Sequence, residues 1–219
     1  MVYFTQEVAM QLLYVTLLNA TTALATAEST FRIALGLLLV TNFTIRLYFQ
    51  KKVRTVERVE GRYQSREKFF YNLVLVSCLL MFVYVLSPWL DFAHLPLPAW
   101  LRWLGASILV GSSCLFWWTH RTLGVYWSGV LDLAKEHQLV TAGPYHRVRH
   151  PMYTAFYVLG IGVLLTSANW LVGLLNLGAV TWMCLVRIPD EEQMMVDRFG
   201  DHYRQYMAKT GRLLPRFDR

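Results

Sequence analysis

The sequence predicts an all-α integral membrane protein, and three observations support this fold class. Hydrophobic residues make up 55% of the 219 residues and charged residues only 16%, with a mean hydropathy of +0.35. Several apolar runs approach the roughly 20 residues that a membrane-spanning helix needs. The basic residues gather near the ends of these runs, which is typical of multi-pass proteins and not of nucleic-acid binding. We therefore expect about five or six membrane-embedded helices.

Four apolar runs precede residue 120 and predict the N-terminal helices. They cover residues 8–27, 31–49, 69–90 and 100–119. Gln11 and Asn19 dilute the first run, so the sequence leaves open whether it is a full span. Arg46, near the end of the second run, is expected to extend towards the membrane surface.

The charges of the loops predict the orientation of these helices. Residues 46–68 carry eight Lys or Arg against three Glu, whereas residues 88–100 carry no Lys or Arg. By the positive-inside rule the first segment faces the cytoplasm, as do both termini. Val53, Val56 and Val59 share a helical face, which predicts an interfacial helix over residues 51–68 whose basic side chains contact lipid phosphates.

After Tyr153 the pattern predicts a helical hairpin. Residues 152–166 and 170–186 are apolar and are separated by Ser167, Ala168 and Asn169. Helices of these lengths would measure about 22–26 Å, short of the ~30 Å hydrocarbon core, so we expect a hairpin that enters the membrane and returns. From Asp190 onwards we expect an amphipathic helix on the cytoplasmic surface.

Two polar clusters interrupt the apolar C-terminal half. Residues 137–153 read HQLVTAGPYHRVRHPMY, and residues 187–192 read RIPDEE. Pro151 restricts His150 to an extended conformation just before a helix start, where free backbone N–H groups suit a carboxylate. Arg187 and Glu191 are four residues apart and so share a helical face, and charges beside lipid are costly unless paired or used. We interpret the clusters as two halves of one cytoplasmic site.

The cysteines and the N-terminal residues argue against a disulfide, a metal site and a cleaved signal peptide. Cys78, Cys114 and Cys184 each fall inside an apolar run without metal-ligand spacing, so we expect neither a disulfide nor a bound metal. No Lys or Arg precedes Arg32, so the first segment lacks the basic region of a cleaved signal peptide. The tryptophans Trp117, Trp118 and Trp127 are interpreted as an aromatic belt.

Five features follow one another along the C-terminal half of the chain: LVTAGPYHRVRHPMY, Asn169, RIPDEE, FGDHYRQY and Pro215. With these features, this half closely resembles the isoprenylcysteine carboxyl methyltransferase family, which has relatives among phospholipid methyltransferases. The resemblance covers roughly residues 120–216. It implies S-adenosylmethionine as cofactor, bound within a helical membrane fold by a C-terminal catalytic region, residues 120–219. The transmembrane helices of residues 1–119, with the basic segment 46–68, would complete a single integrated domain.

The resemblance also implies roles for individual residues. Glu191 would hold the amino group of the cofactor, and Arg187, with Arg149 nearby, would be the catalytic residues facing the carboxylate of the acceptor. One departure is Val130, or a neighbour, where the family offers a polar contact. The implied cofactor-binding residues are His137, Gln138, Leu139, Val140, Tyr145, His150, Pro151, Met152, Tyr153, Glu191 and Glu192. Glu192 has an alternative structural interpretation, namely interaction with a helix dipole.

The expected activity is methylation of the carboxylate of an isoprenylcysteine or a similar lipid-tailed acid. The acceptor would enter from the bilayer and the cofactor from the cytosol, with no nucleic acid or metal as partner. One alternative is methylation of a phospholipid amine or a small thiol. Others are a nicotinamide-dependent sterol or enone reductase, which the doubled acid Glu191-Glu192 disfavours, and a non-catalytic membrane scaffold.

Overall fold

The protein is described by a computed structural model. It describes the backbone of residues 2–53, 58–59, 64–127, 133–134 and 138–216, and the side chains of residues 27–53, 72–127 and 138–216. Within these residues the helices are α1 (Val2–Val53), α2 (Gln64–Leu86), α3 (Ala99–Leu123), α4 (Pro151–Ser167), α5 (Trp170–Phe199) and α6 (Asp201–Lys209). Short 3-10 turns cover Asp91–Ala93, Gly124–Tyr126 and Gly143–His146. A two-residue antiparallel pair joins β1 (Arg58–Val59) to β2 (Leu133–Ala134). The predicted all-α membrane fold is confirmed.

Five of these helices are apolar enough to lie in a membrane. Segments Ala27–Val53, Ala99–Tyr126 and Trp170–Phe199 are each long enough to cross it, with hydropathies of 1.4, 1.3 and 1.8. Two shorter apolar helices, Asn72–Leu86 and Pro151–Ser167, accompany them. The chain is therefore an integral membrane protein.

The N-terminal part of the sequence prediction needs two corrections. The runs 8–27 and 31–49 are not separate helices, because α1 continues through both; the junction contains no Gly or Pro, and Glu28 is paired with Arg32 and Arg102. The predicted interfacial helix over residues 51–68 is also wrong. Helix α1 ends at Val53, residues 58–59 are extended and paired with β2, and α2 begins at Gln64. Residues 54–57 and 60–63 lie outside the described residues.

The C-terminal hairpin is present, but its second helix is longer than predicted. Helix α5 has 30 residues, about 45 Å, and runs through the second polar cluster with Pro189 inside it. The predicted end near residue 186 and the predicted new helix from Asp190 are therefore wrong. Membrane helices tolerate an internal proline, because neighbouring helices and small local adjustments can satisfy the backbone carbonyl that it leaves without a donor. The break instead falls at Gly200, whose φ of +56° a side chain would disfavour, and α6 follows.

Asn169 forms the turn of the hairpin. Its Oδ1 accepts a hydrogen bond from the Val172 backbone N–H (3.1 Å) and caps α5, while its Nδ2 donates to the Leu90 carbonyl (2.6 Å). Helix α4, the first helix of the hairpin, is held by close packing against α3. A Cβ on Gly105 of α3 would lie only 2.7 Å from the Thr166 backbone nitrogen of α4. The hairpin is thus anchored to the N-terminal helices, and this sets the position of the α4 start.

A buried polar network at the same end as Asn169 joins four helices. The Arg102 guanidinium donates to Glu28 (2.6 Å) and to the Thr166 carbonyl (3.0 Å). The Tyr84 hydroxyl lies within hydrogen-bond distance of two acceptors, the Glu28 carboxylate (2.7 Å) and the Ser167 carbonyl (2.8 Å). These bonds satisfy carbonyl groups at the end of α4 and connect α1, α2 and α3 to the hairpin.

Candidate active site

A cavity of about 610 Å³ lies among α1 to α5 and is bordered by α6. One end is polar and is lined by Arg149, His150, Arg187 and Glu191, together with aromatic residues. The remainder is mostly apolar, although Asn42, Arg46, Ser77 and Asn176 also line the cavity. Its lining includes Leu39, Phe43, Leu75, Leu79, Phe82, Phe116, Phe156 and Met183. The volume is typical of a small-molecule site, and the division into polar and apolar parts fits an amphipathic ligand.

The start of α4 forms one wall of the polar end. Gly143, with φ of +57°, opens the preceding turn, where a Cβ would lie 2.8 Å from Thr122 Oγ1. The chain then extends to His150, and α4 begins at Pro151 without a side-chain cap. Met152 and Tyr153, in the uncapped first turn, both line the cavity. The backbone N–H groups of this turn are the orphan donors of the helix and carry its positive dipole end.

His150 connects the two polar clusters. Its Nε2 lies 3.2 Å from Glu192 Oε1, and its Nδ1 lies 3.5 Å from Glu191 Oε2. Burial, the largest single influence, lowers the pKa of His150, but its interactions with the two carboxylates together outweigh it and the pKa is raised. The structure thus holds the imidazole between two carboxylates in a setting that favours its charged form.

Arg187 and Glu191 face the cavity from α5, as their spacing predicts. Arg187 Nη2 lies 3.6 Å from Glu191 Oε1, and the Tyr153 hydroxyl donates a hydrogen bond to the same oxygen. The Arg187 side chain is only 9% exposed, whereas that of Glu191 is 28% exposed. Glu191 is the only carboxylate that lines the cavity among the described residues.

Glu192 points away from the cavity into a set of cations. Its carboxylate accepts hydrogen bonds from Arg149 Nε (3.0 Å) and Arg212 Nε (3.2 Å), in addition to its contact with His150. The hydrogen bonds to Glu192 raise the pKa of Arg212. Glu192 is 5% exposed and does not line the cavity. We conclude that Glu192 has a structural role, in which it holds Arg149, His150 and Arg212 in place next to the cavity.

The C-terminal segment closes over this part of the site. The backbone N–H groups of Arg149 and His150 donate to the carbonyls of Gly211 (2.8 Å) and Arg212 (3.0 Å). The Tyr206 hydroxyl donates to the Tyr145 carbonyl (2.6 Å), and burial raises the pKa of Tyr206 to about 12. This hydroxyl therefore stays protonated at neutral pH.

The predicted site residues divide into three groups. Those that line the cavity are Leu139, Val140, Tyr145, Arg149, His150, Met152, Tyr153, Arg187 and Glu191. Gln138, which is exposed, and Pro151 and Glu192, which are buried, do not line it. His137 and Val130 lie outside the described residues. Within the part of the chain that the structure describes, no group of three or more His, Cys, Asp or Glu side chains could hold a metal ion.

Several lining residues were missed from the sequence. Arg46 and Asn42 contribute from α1, and Tyr203 and Tyr206 contribute from α6. A charge inside an apolar run was an available signal for Arg46, but we interpreted it as reaching the membrane surface. Trp127, interpreted as a belt residue, is 3% exposed and lines the cavity. The two tyrosines belong to the motif FGDHYRQY, which carried the resemblance, but we had not assigned them to the site.

Comparison with known proteins identifies the region that contains the site. Residues 103–197 match the sequence model of the Isoprenylcysteine carboxyl methyltransferase (ICMT) family. The predicted resemblance to this family is confirmed. The matched region includes most of α3, both helices of the hairpin and both polar clusters.

Individual relatives carry the same family name. The chain is 39% identical over 82 residues to "Protein-S-isoprenylcysteine O-methyltransferase" of Schizosaccharomyces pombe, covering 37% of this chain and 34% of that protein. It is 29% identical over 142 residues to the Homo sapiens protein of the same name, covering 61% of this chain and 50% of that one. The chain thus spans about half the length, or less, of these relatives.

A solved structure shares the fold. It is described as the eukaryotic intramembrane Ras methyltransferase ICMT (isoprenylcysteine carboxyl methyltransferase) without a monobody. The match has a TM-score of 0.51 and 24% sequence identity, and covers 72% of this chain and 54% of that chain. The arrangement of helices around the cavity is therefore similar to a known membrane fold.

Proposed function

We propose that this chain is an S-adenosylmethionine-dependent membrane methyltransferase that methylates the carboxylate of an isoprenylcysteine or a similar lipid-tailed acid. The observation that carries the proposal is one cavity with a charged polar end and an otherwise mostly apolar lining, built largely by the region that matches the ICMT family. Such a cavity suits a polar cofactor at one end and an acceptor with a lipid tail. The names of the relatives supply the reaction class.

The polar end fits the charged part of the cofactor. Glu191, 28% exposed and lining the cavity, would accept hydrogen bonds from the amino group of the cofactor. The uncapped N–H groups at the start of α4, near Met152 and Tyr153, would bind its carboxylate. Leu139 and Val140 offer apolar contacts beside them.

The remaining predicted cofactor residues keep supporting roles in this proposal. Gln138 lies next to the lining residue Leu139 on the exposed side, and His137 precedes it in the sequence. Pro151 fixes the start of α4. Glu192, with Arg149, positions His150 and so orients Glu191.

When bound, S-adenosylmethionine supplies a methyl group on a sulfonium, and transfer to a carboxylate oxygen breaks an S–C bond and forms an O–C bond. The chain need not supply a general base, because a carboxylate with a pKa near ~3.7 is already ionised at neutral pH. Arg187, whose guanidinium faces the cavity, would orient this carboxylate. Such positioning can contribute roughly 7–11 kcal/mol to lowering the barrier.

Arg149 has a different role in this proposal from the one implied by the resemblance. Its Nε donates to Glu192, and its Nη1 donates to the carbonyls of Met207 (3.0 Å) and Thr210. The guanidinium is therefore already hydrogen-bonded to protein groups. We therefore assign Arg149 as a positioning residue behind Glu191, not as a group that contacts the acceptor.

The proposed topology places the polar end and the C-terminus at the cytoplasmic side, because the basic segment 46–68 adjoins this end of α1 and α2. The N-terminus is then on the opposite side, unlike the sequence prediction, because α1 is one continuous helix from Val2 to Val53 and a helix that crosses the membrane has its two ends on opposite sides. The cofactor then arrives from the cytosol and the acceptor from the bilayer. Residues 1–119 supply much of the apolar wall, and residues 120–219 supply the proposed cofactor-binding residues.

The test of the cofactor is equilibrium binding to the purified protein in detergent. We expect S-adenosylhomocysteine to bind and NADPH not to bind. A methyl-transfer assay with a prenylcysteine analogue then tests the acceptor. Binding of NADPH alone would contradict the proposal and favour a reductase.

A further inference from the structure

Arg46 contributes a cation to the cavity from the N-terminal part of the chain. It shares one face of α1 with Leu39, Asn42 and Phe43, at the helical spacing i, i+3, i+4 and i+7, and all four residues line the cavity. Arg46 lies within the candidate span Ala27–Val53 and is half-buried. Arg46 therefore faces the cavity and not the lipid.

Contacts on both sides of Arg46 fix this face of α1. One turn before it, Asn42 Nδ2 donates to Ser113 Oγ of α3 (2.7 Å). One turn after it, Phe49 is buried and packs on His120, with ring centroids 5.1 Å apart. Rotation of α1 that turned Arg46 towards lipid would break both contacts. The register of the helix thus keeps Arg46 at the cavity.

The charge of Arg46 lacks a carboxylate partner within residues 27–53, 72–127 and 138–216. Its Cζ lies 5.9 Å from the centroid of a Trp127 ring, near the outer limit of a cation–π interaction, so the ring offsets little of the charge. The other two cavity-lining arginines are different: Arg149 pairs with Glu192, and Arg187 pairs with Glu191.

The balance of charge in the cavity indicates what this cation binds. Three arginines and one carboxylate, Glu191, line the cavity among the described residues. A cation inside a membrane span is costly unless it is paired or serves a ligand. Arg46 also lies one turn from Phe43, which lines the apolar part of the cavity. A lipid-tailed anion would satisfy the guanidinium and fill the adjacent apolar space.

Building on the proposed function, we propose that Arg46 is a specificity-determining residue that binds the anionic group of the lipid-tailed acceptor. It selects acids over neutral amphiphiles of the same shape, because a guanidinium forms charge-assisted hydrogen bonds to a carboxylate that an amide cannot match. Glu191 and the start of α4 remain the cofactor-binding groups, so Arg46 affects the acceptor and not the cofactor.

The experiment compares an acid with its neutral analogue. A prenylcysteine analogue with a free carboxylate serves as acceptor, and the corresponding carboxamide serves as a competitive inhibitor. In Arg46→Gln we expect the KM of the acid to rise by about tenfold or more, with the inhibition constant of the carboxamide and the affinity for S-adenosylhomocysteine unchanged. Arg46→Lys should recover part of the loss, since the charge is retained.

Lys51→Gln is the matched control. It removes the same charge from the same helix at an exposed position that does not line the cavity, and we expect wild-type constants. An unchanged KM of the acid in Arg46→Gln would overturn the proposal. Equal losses for acid and carboxamide would also overturn it, because they would indicate a change of cavity shape.

A second arm separates the acceptor from membrane phospholipid as the source of the anion. The same constants are measured in nanodiscs of phosphatidylcholine with and without phosphatidylglycerol. A difference between wild type and Arg46→Gln that appears only with phosphatidylglycerol would assign Arg46 to lipid phosphate and overturn the proposal. A difference in both lipids supports it.

Failure of the proposed function gives a distinct result. If the wild type binds S-adenosylhomocysteine but methylates no acid, direct binding of the acid and of the carboxamide to wild type and Arg46→Gln replaces the kinetic constants. Weaker binding of the acid alone in the variant still supports anion recognition by Arg46. Equal binding of the acid to both proteins overturns it.

Discussion

His150 Nε2 lies 3.2 Å from Glu192 Oε1, and this contact joins the two polar clusters that the sequence separates by more than one apolar helix. The opposite ring nitrogen faces Glu191, so one imidazole supports both a carboxylate at the cavity and a carboxylate behind it. The relationship makes the protonation of His150 part of the stability of the site.

Stability should therefore depend on pH through His150. Its pKa in the folded protein is raised above the unfolded value near ~6.5, so its contribution is fully present below about pH 6.5 and is lost as pH rises through the higher folded pKa. We expect the difference in Tm between wild type and His150→Gln to be largest near pH 6 and smaller near pH 9. Thermal unfolding in detergent measures it. A difference that stays constant over this range would mean that His150 does not titrate between pH 6 and pH 9.

Glu191→Gln should weaken cofactor binding. The substitution removes the negative charge beside the proposed site of the amino group, which costs roughly 1.5–3 kcal/mol of binding free energy. Calorimetry with S-adenosylhomocysteine measures the change. Asp197→Asn is the control, because it removes a charge from an exposed position of the same helix and should leave the affinity as in wild type. Equal affinities of wild type and Glu191→Gln would leave Glu191 with a structural role only.

Arg187→Lys should impair turnover nearly as much as Arg187→Ala. A lysine keeps the charge but loses the planar fork that aligns a carboxylate and that also reaches Glu191. We expect a loss in kcat or in acceptor affinity, with binding of S-adenosylhomocysteine largely retained. Steady-state kinetics together with calorimetry separates these effects. Wild-type activity in Arg187→Lys would argue against an orienting role.

The pH dependence of the methyl-transfer step should identify the class of acceptor. A carboxylate is already ionised, so its single-turnover rate should be nearly constant from about pH 6 to 9, whereas an amine with a pKa near ~10 would react almost tenfold faster per pH unit. A prenylcysteine analogue and a phosphatidylethanolamine are compared in the same detergent. If only the amine lipid is methylated, at a rate that rises steeply with pH, the proposed carboxylate acceptor is wrong. The fold and the proposed cofactor would be unaffected.

Parts of the site were predictable because the relevant relationships are local in sequence. Arg187 and Glu191 lie on one face of α5 whatever surrounds the helix, since residues four apart are neighbours. Pro151 determines a helix start after His150 in the same way. In contrast, the sequence allowed Glu192 to be either a cofactor contact or a structural residue. In the structure Arg212 of the C-terminal segment pairs with Glu192, and this contact holds Glu192 outside the cavity lining.

The sequence by itself determined the membrane class, the hairpin with its turn at Asn169, and the Arg187–Glu191 pair, because apolar run length and short helical spacing depend on nearby residues. Tertiary structure decided where helices end and which side chains reach the cavity. Helix α1 continues through Glu28, which pairs with Arg102 of α3, and α5 passes through Pro189 to end at Gly200. Arg46 lines the cavity only because α1 packs on α3 in one register. Such contacts join residues far apart in the chain, and no local pattern records them.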